Sequence, residues 1–282
     1  MDIQWYPGHM TKARREMQAN LKLVDLIVEL VDARAPYASR NPDIRAMANG
    51  KADLIVLNKA DLADPAMNEK WLAHYRREQA QAMTADSRSA SLRKKMLTLM
   101  RDACSEKLER DRRKGIRNST IRAMITGIPN VGKSTLINSL AGRASAKTGN
   151  KPGVTRGQQW IHLQGGIDLL DTPGILWPRF DDPNAGRRLA WIGSIRDEIL
   201  PGEELALSLA GELAGSYPGA LSGRYGIEED ASETELLRRI ALSRGCVRGG
   251  GEADTEKAAH MLLDEFRRGL LGRITLEGPD GE

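Results

Sequence analysis

Residues 121–140 read IRAMITGIPNVGKSTLINSL, and this stretch restricts the possible folds more than any other. An apolar run, Ile121 to Ile125, leads into Gly127-Ile128-Pro129-Asn130-Val131-Gly132-Lys133-Ser134. A helix-forming run follows from Lys133 to Leu140. Strand, G-x-x-x-x-G-K-[ST] and helix in that order make a phosphate loop. Backbone N–H groups of such a loop, here around Val131 and Gly132, point at phosphate oxygens. Glycine lets the backbone approach without a Cβ. Lys133 supplies a point charge to the outer phosphates, and Ser134 offers its hydroxyl to magnesium. Thr135 is counted with the nucleotide contacts.

A second motif speaks to the base. Asp53-Leu54-Ile55-Val56-Leu57 reads as a buried strand and runs into Asn58-Lys59-Ala60-Asp61, which fits N-K-x-D. A carboxylate at Asp61 can accept from guanine N1–H and its exocyclic amine. Adenine presents no such donor pair, and the wrong base would leave the carboxylate unpaired. The Lys59 stem can lie over the base, and Asn58 can tie neighbouring loops together. Thr84-Ala85-Asp86 resembles the degenerate S-A-K loop that also touches guanine. Asp171-Thr172-Pro173-Gly174 fits D-x-x-G at a strand end. Asp171 is placed to hold magnesium through water, and the Gly174 N–H to sense a γ-phosphate. Thr155, between the phosphate-loop helix and that strand, is the candidate to complete the magnesium shell.

The order of these motifs is unusual. Ordinary GTPases place the base-reading motif after the phosphate loop and D-x-x-G; here it precedes both. The expectation is a circularly permuted P-loop GTPase domain over 1–180, an α/β fold with a doubly wound, mostly parallel sheet. A smaller α-helical domain is expected over 181–282. Strands are predicted at 26–31, 53–57, 81–83, 121–125, 159–163 and 167–171. Helices are predicted at 67–80, 89–110, 133–140, 189–200, 203–213, 233–242 and 254–271. Ser232-x-x-Glu235 is a capping-box signature. Ile274-Thr275-Leu276 is a weak strand signal, and Gly278 to Glu282 reads as a loose tail. Permutation is tolerable if the original chain ends lie close together.

Composition adds limits. Two distant cysteines, Cys104 and Cys246, make neither a disulfide framework nor a zinc site. No apolar run reaches membrane-span length, and the N-terminus lacks a secretory pattern. The reading is a reduced, cytoplasmic monomer without a membrane partner. Net charge is +4 at pH 7 with a sequence pI near 9.1, mildly basic. The basic stretch Lys107 to Arg122 fits either a solvated helix face or contacts with RNA phosphates.

The motif order, the leader Trp5-Tyr6-Pro7-Gly8-His9-Met10 and Asp32-Ala33-Arg34-x-Pro36 resemble the YlqF/RbgA-type GTPases. The resemblance covers nearly the whole chain. It implies GTP and GDP as ligands and a role in late assembly of the large ribosomal subunit. It also implies ribosomal RNA as partner and a C-terminal RNA-binding helical domain. Where related enzymes carry a water-orienting glutamine after D-x-x-G, this chain has Ile175 and Leu176. The resemblance offers His9 as the water-positioning residue instead, and histidine suits proton handling near neutrality. Asn130 resembles the asparagine of potassium-stimulated GTPases. Alternatives stay open: a nucleotide-gated RNA-binding module with little hydrolysis, or a small-subunit assembly factor.

Overall fold

The computed structural model describes residues 15, 17–41, 44, 48, 50–142, 159–172, 183–195 and 201–279. Six strands form one sheet: β1 (Leu26–Asp32), β2 (Ala52–Asn58), β3 (Gln81–Ala85), β4 (Ile121–Gly127), β5 (Gln159–Leu163) and β6 (Ile167–Asp171). Their spatial order is β3-β2-β1-β4-β6-β5. All pairs are parallel except β5 with β6, which is antiparallel. The central strand β1, LIVELVD, is buried along its whole length, as a parallel strand covered on both faces must be. Its side chains alternate. Leu26, Val28 and Leu30 join the larger core, whereas Val31 joins a cluster with Ile55, Leu57, Trp71 and Tyr75.

The helices around the sheet are α1 (Pro65–Arg77), α2 (Leu92–Ala103), α3 (Ser105–Arg113) and α4 (Lys133–Ala141). α1 starts at Pro65, behind an Asp64 cap whose carboxylate accepts from the Ala66 N–H at 2.8 Å. The helical run expected over 89–110 is two helices. The chain turns at Cys104, whose N–H falls back on the Arg101 carbonyl at 3.1 Å. Met96 and Met100 of α2 and Cys104 itself are buried in the core, and none of the α3 residues is buried. Residues 114–120 then join α3 directly to β4. This connection is pinned by the Ile116 N–H on the Asp111 carbonyl at 3.0 Å and the Ser119 hydroxyl on Asp111 at 2.6 Å. The helix after the base-reading loops and the strand before the phosphate loop therefore do meet across a short span, as permutation requires.

Five more helices follow: α5 (Pro183–Trp191), α6 (Gly202–Ser216), α7 (Ala220–Tyr225), α8 (Glu233–Ser243) and α9 (Thr255–Arg267). Half of the expected capping box is formed: Ser232 Oγ accepts from the Glu235 N–H at 3.4 Å, while the Glu235 carboxylate turns to Arg238 and Arg239 instead. The helix expected over 189–200 starts earlier and stops at Trp191. Gly193, at φ +77°, turns the chain there. The short α7 was not foreseen. α6, α8 and α9 pack together through Leu209, Leu237, Ile240 and Leu262, and this core is continuous with that of the sheet.

Residues 274–276 are extended but form no strand. They run along the loops of the sheet as a strap. The Ile274 N–H bonds the Leu62 carbonyl at 3.0 Å and the Leu276 N–H the Arg34 carbonyl at 2.7 Å. Tyr217, the residue just after α6, donates its hydroxyl to the Thr275 carbonyl at 2.9 Å. Glu277 is fixed at three points: the Ala38 N–H at 2.8 Å, Arg188 at 3.1 Å, and its own carbonyl under the Trp71 indole N–H at 3.1 Å.

Candidate guanine-nucleotide site

Parallel strands bring their carboxyl ends to one edge of the sheet. Asp32 pairs in register with Asn58, and Asn58 with Ala85. Leu30 pairs with Gly127, and Ile125 with Asp171. The ends of five strands thus line a single crevice, where open α/β sheets bind ligands.

The phosphate loop leaves β4 at Gly127 and enters α4 at Lys133. Asn130 and Gly132 both take left-handed conformations, at φ +59° and +102°. A Cβ on Gly132 would collide with the Asn58 amide nitrogen, so only glycine fits there. Lys133 is buried and curls back onto the loop, with Nζ donating to the Gly127 carbonyl at 2.9 Å and the Ile128 carbonyl at 2.8 Å. Burial lowers its pKa to about 8, against the pull of Asp171. Burial raises the Asp171 carboxyl above its ordinary value, with Lys133 opposing the rise. Asp171 Oδ1 is buried with no hydrogen-bond partner among the described residues. An orphaned carboxylate oxygen beside the Ser134 helix turn suits a hard cation such as magnesium, which takes few protein ligands and completes its shell with phosphate and water. Thr172 anchors the strand end by donating to the Ile125 carbonyl at 2.7 Å.

The other end of the crevice is built around Asn58, which is buried. Its Nδ2 donates to the Val131 carbonyl of the phosphate loop at 2.7 Å. Its Oδ1 accepts from the Ser87 hydroxyl at 2.7 Å and the Ser87 N–H at 3.2 Å. One amide therefore joins the phosphate loop to the loop after β3. The Ala60 N–H bonds the Ala85 carbonyl at 3.0 Å and closes the same corner. Asp61 faces Arg88, whose guanidinium bridges it to Asp86, the Asp86 contact being 3.1 Å.

Lys59, at φ +57°, sends its ammonium to Asp32 Oδ2 at 2.9 Å. Asp32 is fully buried and also takes Arg34 on both oxygens, at 2.9 and 2.8 Å. Burial would raise the Asp32 pKa, but Arg34 and Lys59 together hold it well below the ordinary value of 3.8. Arg34 is equally buried. It lies 5.6 Å from the Phe266 ring centroid and donates to the Arg267 carbonyl at 3.3 Å, at the end of α9. Arg267 in turn caps α5 through the Ala190 carbonyl at 2.8 Å and the Trp191 carbonyl at 3.1 Å. Asn130 reaches the same turn, donating to the Gly193 carbonyl at 2.7 Å. Both ends of the crevice are therefore tied to the helical module.

Asp32→Ala would leave the buried Arg34 and the half-buried Lys59 without their carboxylate. The expected cost is about 3–5 kcal/mol. For a chain of this size that lowers the melting temperature by on the order of 10 °C, readable by thermal unfolding followed by circular dichroism. Because the native pKa is depressed, the Asp32 contribution is complete above the unfolded value near 3.8 and is lost only as pH falls through the native value. The wild-type minus variant difference should therefore stay flat between about pH 5 and 8.

Asn58, Lys59, Asp61, Thr84, Ala85, Asn130, Val131, Gly132, Lys133, Ser134, Thr135 and Asp171 all lie on the strand ends, loops and helix start at this edge. His9, Thr155 and Gly174 fall outside the described residues. Sequence reasoning missed the Asp32–Arg34–Lys59 cluster as a unit and missed Ser87 and Arg88. An aspartate closing a buried strand, apolar apart from Glu29, was the available signal for the first. His162 and His74 stand away from the crevice, each beside a carboxylate, Asp168 and Glu78. Trp71 and Trp191 are buried packing residues.

A family profile described as "50S ribosome-binding GTPase" matches residues 122–200. The chain is 44% identical over 281 residues to a protein named Ribosome biogenesis GTPase A from Priestia megaterium, covering 99% of this chain and 98% of that one. It is 33% identical to the protein of that name from Thermotoga maritima, over 99% of this chain and 95% of the relative. Among solved structures, the GNP-bound crystal structure of YlqF from T. maritima superposes with a TM-score of 0.67 at 29% identity, covering 96% of this chain and all of that one. The GDP-bound structure of TM YlqF gives 0.68 at 27%, covering 94% and 100%. Phosphate loop, permuted base-reading motif and full-length similarity agree, and the chain belongs to the ribosome biogenesis GTPase A (YlqF/RbgA-type) family of P-loop GTPases.

Proposed function

We propose that this ribosome-assembly GTPase acts late in construction of the large ribosomal subunit and that the precursor particle stimulates its turnover. The observation that carries the nucleotide part is the Asn58 amide, which joins the phosphate loop at Val131 to the loop holding Ser87. It makes one site of two motifs that are far apart in sequence. In this reading Asp61 pairs with the guanine N1–H and amine, the Lys59 stem covers the base, and Thr84 and Ala85 line its edge. N–H groups of Val131, Gly132 and the Ser134–Thr135 helix start receive the phosphates.

Bound magnesium would neutralise charge developing on the phosphates, held by Ser134, Thr155 and, through water, Asp171. Lys133 leaves its two loop carbonyls for phosphate oxygens, exchanging neutral acceptors for charged ones. Gly174 senses the γ-phosphate, and His9 positions the attacking water. The Asn130 amide oxygen is the proposed potassium ligand, tested by comparing turnover in potassium and sodium. The domain assignment is 1–180 for the GTPase part, and 181–282 for the helical part. The proposed state is a cytoplasmic monomer. Among the described residues no helix is long and apolar enough to cross a membrane.

Phosphate release measured with and without large-subunit precursor particles tests the proposal. Strong stimulation by those particles, and not by small-subunit particles, is expected. Equal rates with and without particles would reject it in favour of a nucleotide-gated binding module. Arg88 supplies a further prediction. Its guanidinium occupies the carboxylate that guanine needs, so the base must displace it. The pair is largely exposed and therefore weak. Arg88→Ala is expected to tighten GDP binding by about two- to fivefold, measured by titration with a fluorescent GDP analogue.

A further inference from the structure

The charge of this chain is unevenly distributed. The whole sequence has 42 lysines and arginines against 38 carboxylates. Residues 93–122 alone hold eleven against four, which exceeds the excess of the entire chain. Residues 181–282, the part that the family resemblance makes RNA-binding, hold twelve against twenty. The basic excess of the chain therefore lies outside that module.

The basic segment covers α2, α3 and the 114–120 connection. Residues 112–118 are all exposed, and none of α3 is buried. A few cations are engaged internally. Lys107 bonds the Thr120 carbonyl and pairs with Asp25 at 3.3 Å, and Arg101 bonds the Gly165 carbonyl at 2.7 Å. Arg112 and Arg113 share one carboxylate, Glu109. Arg110, Lys114 and Arg117 are exposed and form no ion pair among the described residues. The segment contains no aromatic residue, which a protein interface would favour as an anchor. It also lacks the apolar face that a membrane-lying helix needs, since Leu108 of α3 packs into the core. Exposed cations without apolar anchors fit the sequence-independent grip of phosphates.

We propose that Arg110, Arg113, Lys114 and Arg117, on α3 and its connection to β4, form an RNA-phosphate-binding surface of the GTPase part. The proposal rests on the ribosomal reading above and gives it a surface. The position matters as well. The segment begins just after the Ser87 loop and ends at the strand that delivers the phosphate loop, so RNA held there sits on the link between the two halves of the nucleotide site.

The test compares wild type with a variant carrying R110Q, R113Q, K114Q and R117Q, and with a helical-module control carrying R248Q and R268Q. Binding to large-subunit ribosomal RNA and to the precursor particle is measured between about 50 and 200 mM salt. Unchanged melting temperatures establish that both variants fold. The fourfold variant is expected to lose affinity, with the log–log salt slope shallower by about 0.7–0.9 per lost contact, near 3 in all. The control should keep the wild-type slope. If wild type binds and the fourfold variant keeps its slope, the surface is wrong and the ribosomal reading stands. The surface is equally wrong if the control is the one that weakens, or if the fourfold change abolishes binding to vesicles of phosphatidylcholine and phosphatidylserine while RNA binding persists. If wild type binds neither RNA nor particle, the ribosomal reading itself falls and takes the surface with it.

Discussion

Lys133→Ala is expected to lower GTP turnover by about 10²–10³-fold or more, the usual cost of deleting one charge-stabilising donor. The structure gives the reason. Lys133 Nζ is buried beneath its own loop, and its neighbours are two backbone carbonyls and the Asp171 carboxylate. No other lysine or arginine among the buried polar residues stands at this end of the crevice. Single-turnover phosphate release reads the effect directly. A pH dependence accompanies it. The unliganded ammonium titrates near 8, and phosphates stabilise its charged form. Nucleotide binding above that pH must take up a proton, so wild-type GDP affinity should fall as pH rises from about 7.5 to 9. The Lys133→Ala protein should lack that component. An equal pH dependence in both proteins would remove Lys133 from the phosphate contacts.

Asp61→Asn is expected to exchange guanine for xanthine. Guanine offers two donors, N1–H and the amine; xanthine keeps N1–H but has a carbonyl in place of the amine. An asparagine amide can accept from the first and donate to the second. The preference for GDP over xanthosine diphosphate should swing by on the order of 10²–10⁴-fold. That is below the 10⁴–10⁵ of fully enclosed polar sites, because Asp61 keeps some solvent contact. Competition binding with both diphosphates measures it. A variant that weakened both nucleotides equally would mean that residue 61 supports the loop without reading the base.

The sheet was legible because buried parallel strands must be apolar on both faces. Apart from Glu29 and Asp53, LIVELVD and ADLIVLN are too apolar to sit elsewhere, and they end at Asp32 and Asn58, which line the crevice. The phosphate loop was legible because its glycines and lysine are chemically hard to replace. The Asn58 bridge was foreseen in kind. What escaped were features set by partners distant in sequence. The break at Cys104 falls inside a run whose apolar spacing continues to Leu108, and only packing against the sheet shows the turn. The α5 boundary is fixed by Gly193, which lies against Arg267 and Asn130 from two other parts of the chain. Lys59 lies 27 residues from Asp32, and no local pattern announces that it shares that carboxylate with Arg34. Arg88 was passed over because an exposed arginine in a loop is usually solvated charge; its place opposite Asp61 exists only in three dimensions.

The strap at 274–277 bears on how the chain is made. Its residues are synthesised last among those described, yet they satisfy hydrogen-bonding groups laid down more than two hundred positions earlier, at Arg34, Ala38, Leu62 and Trp71. While translation is under way those groups face solvent, and the loops beside the base-reading motif lack their final brace. A copy that stops before residue 274 therefore lacks those braces. Bracing of the base-reading loops is thus the last of these contacts to become available, after the helices that precede the strap.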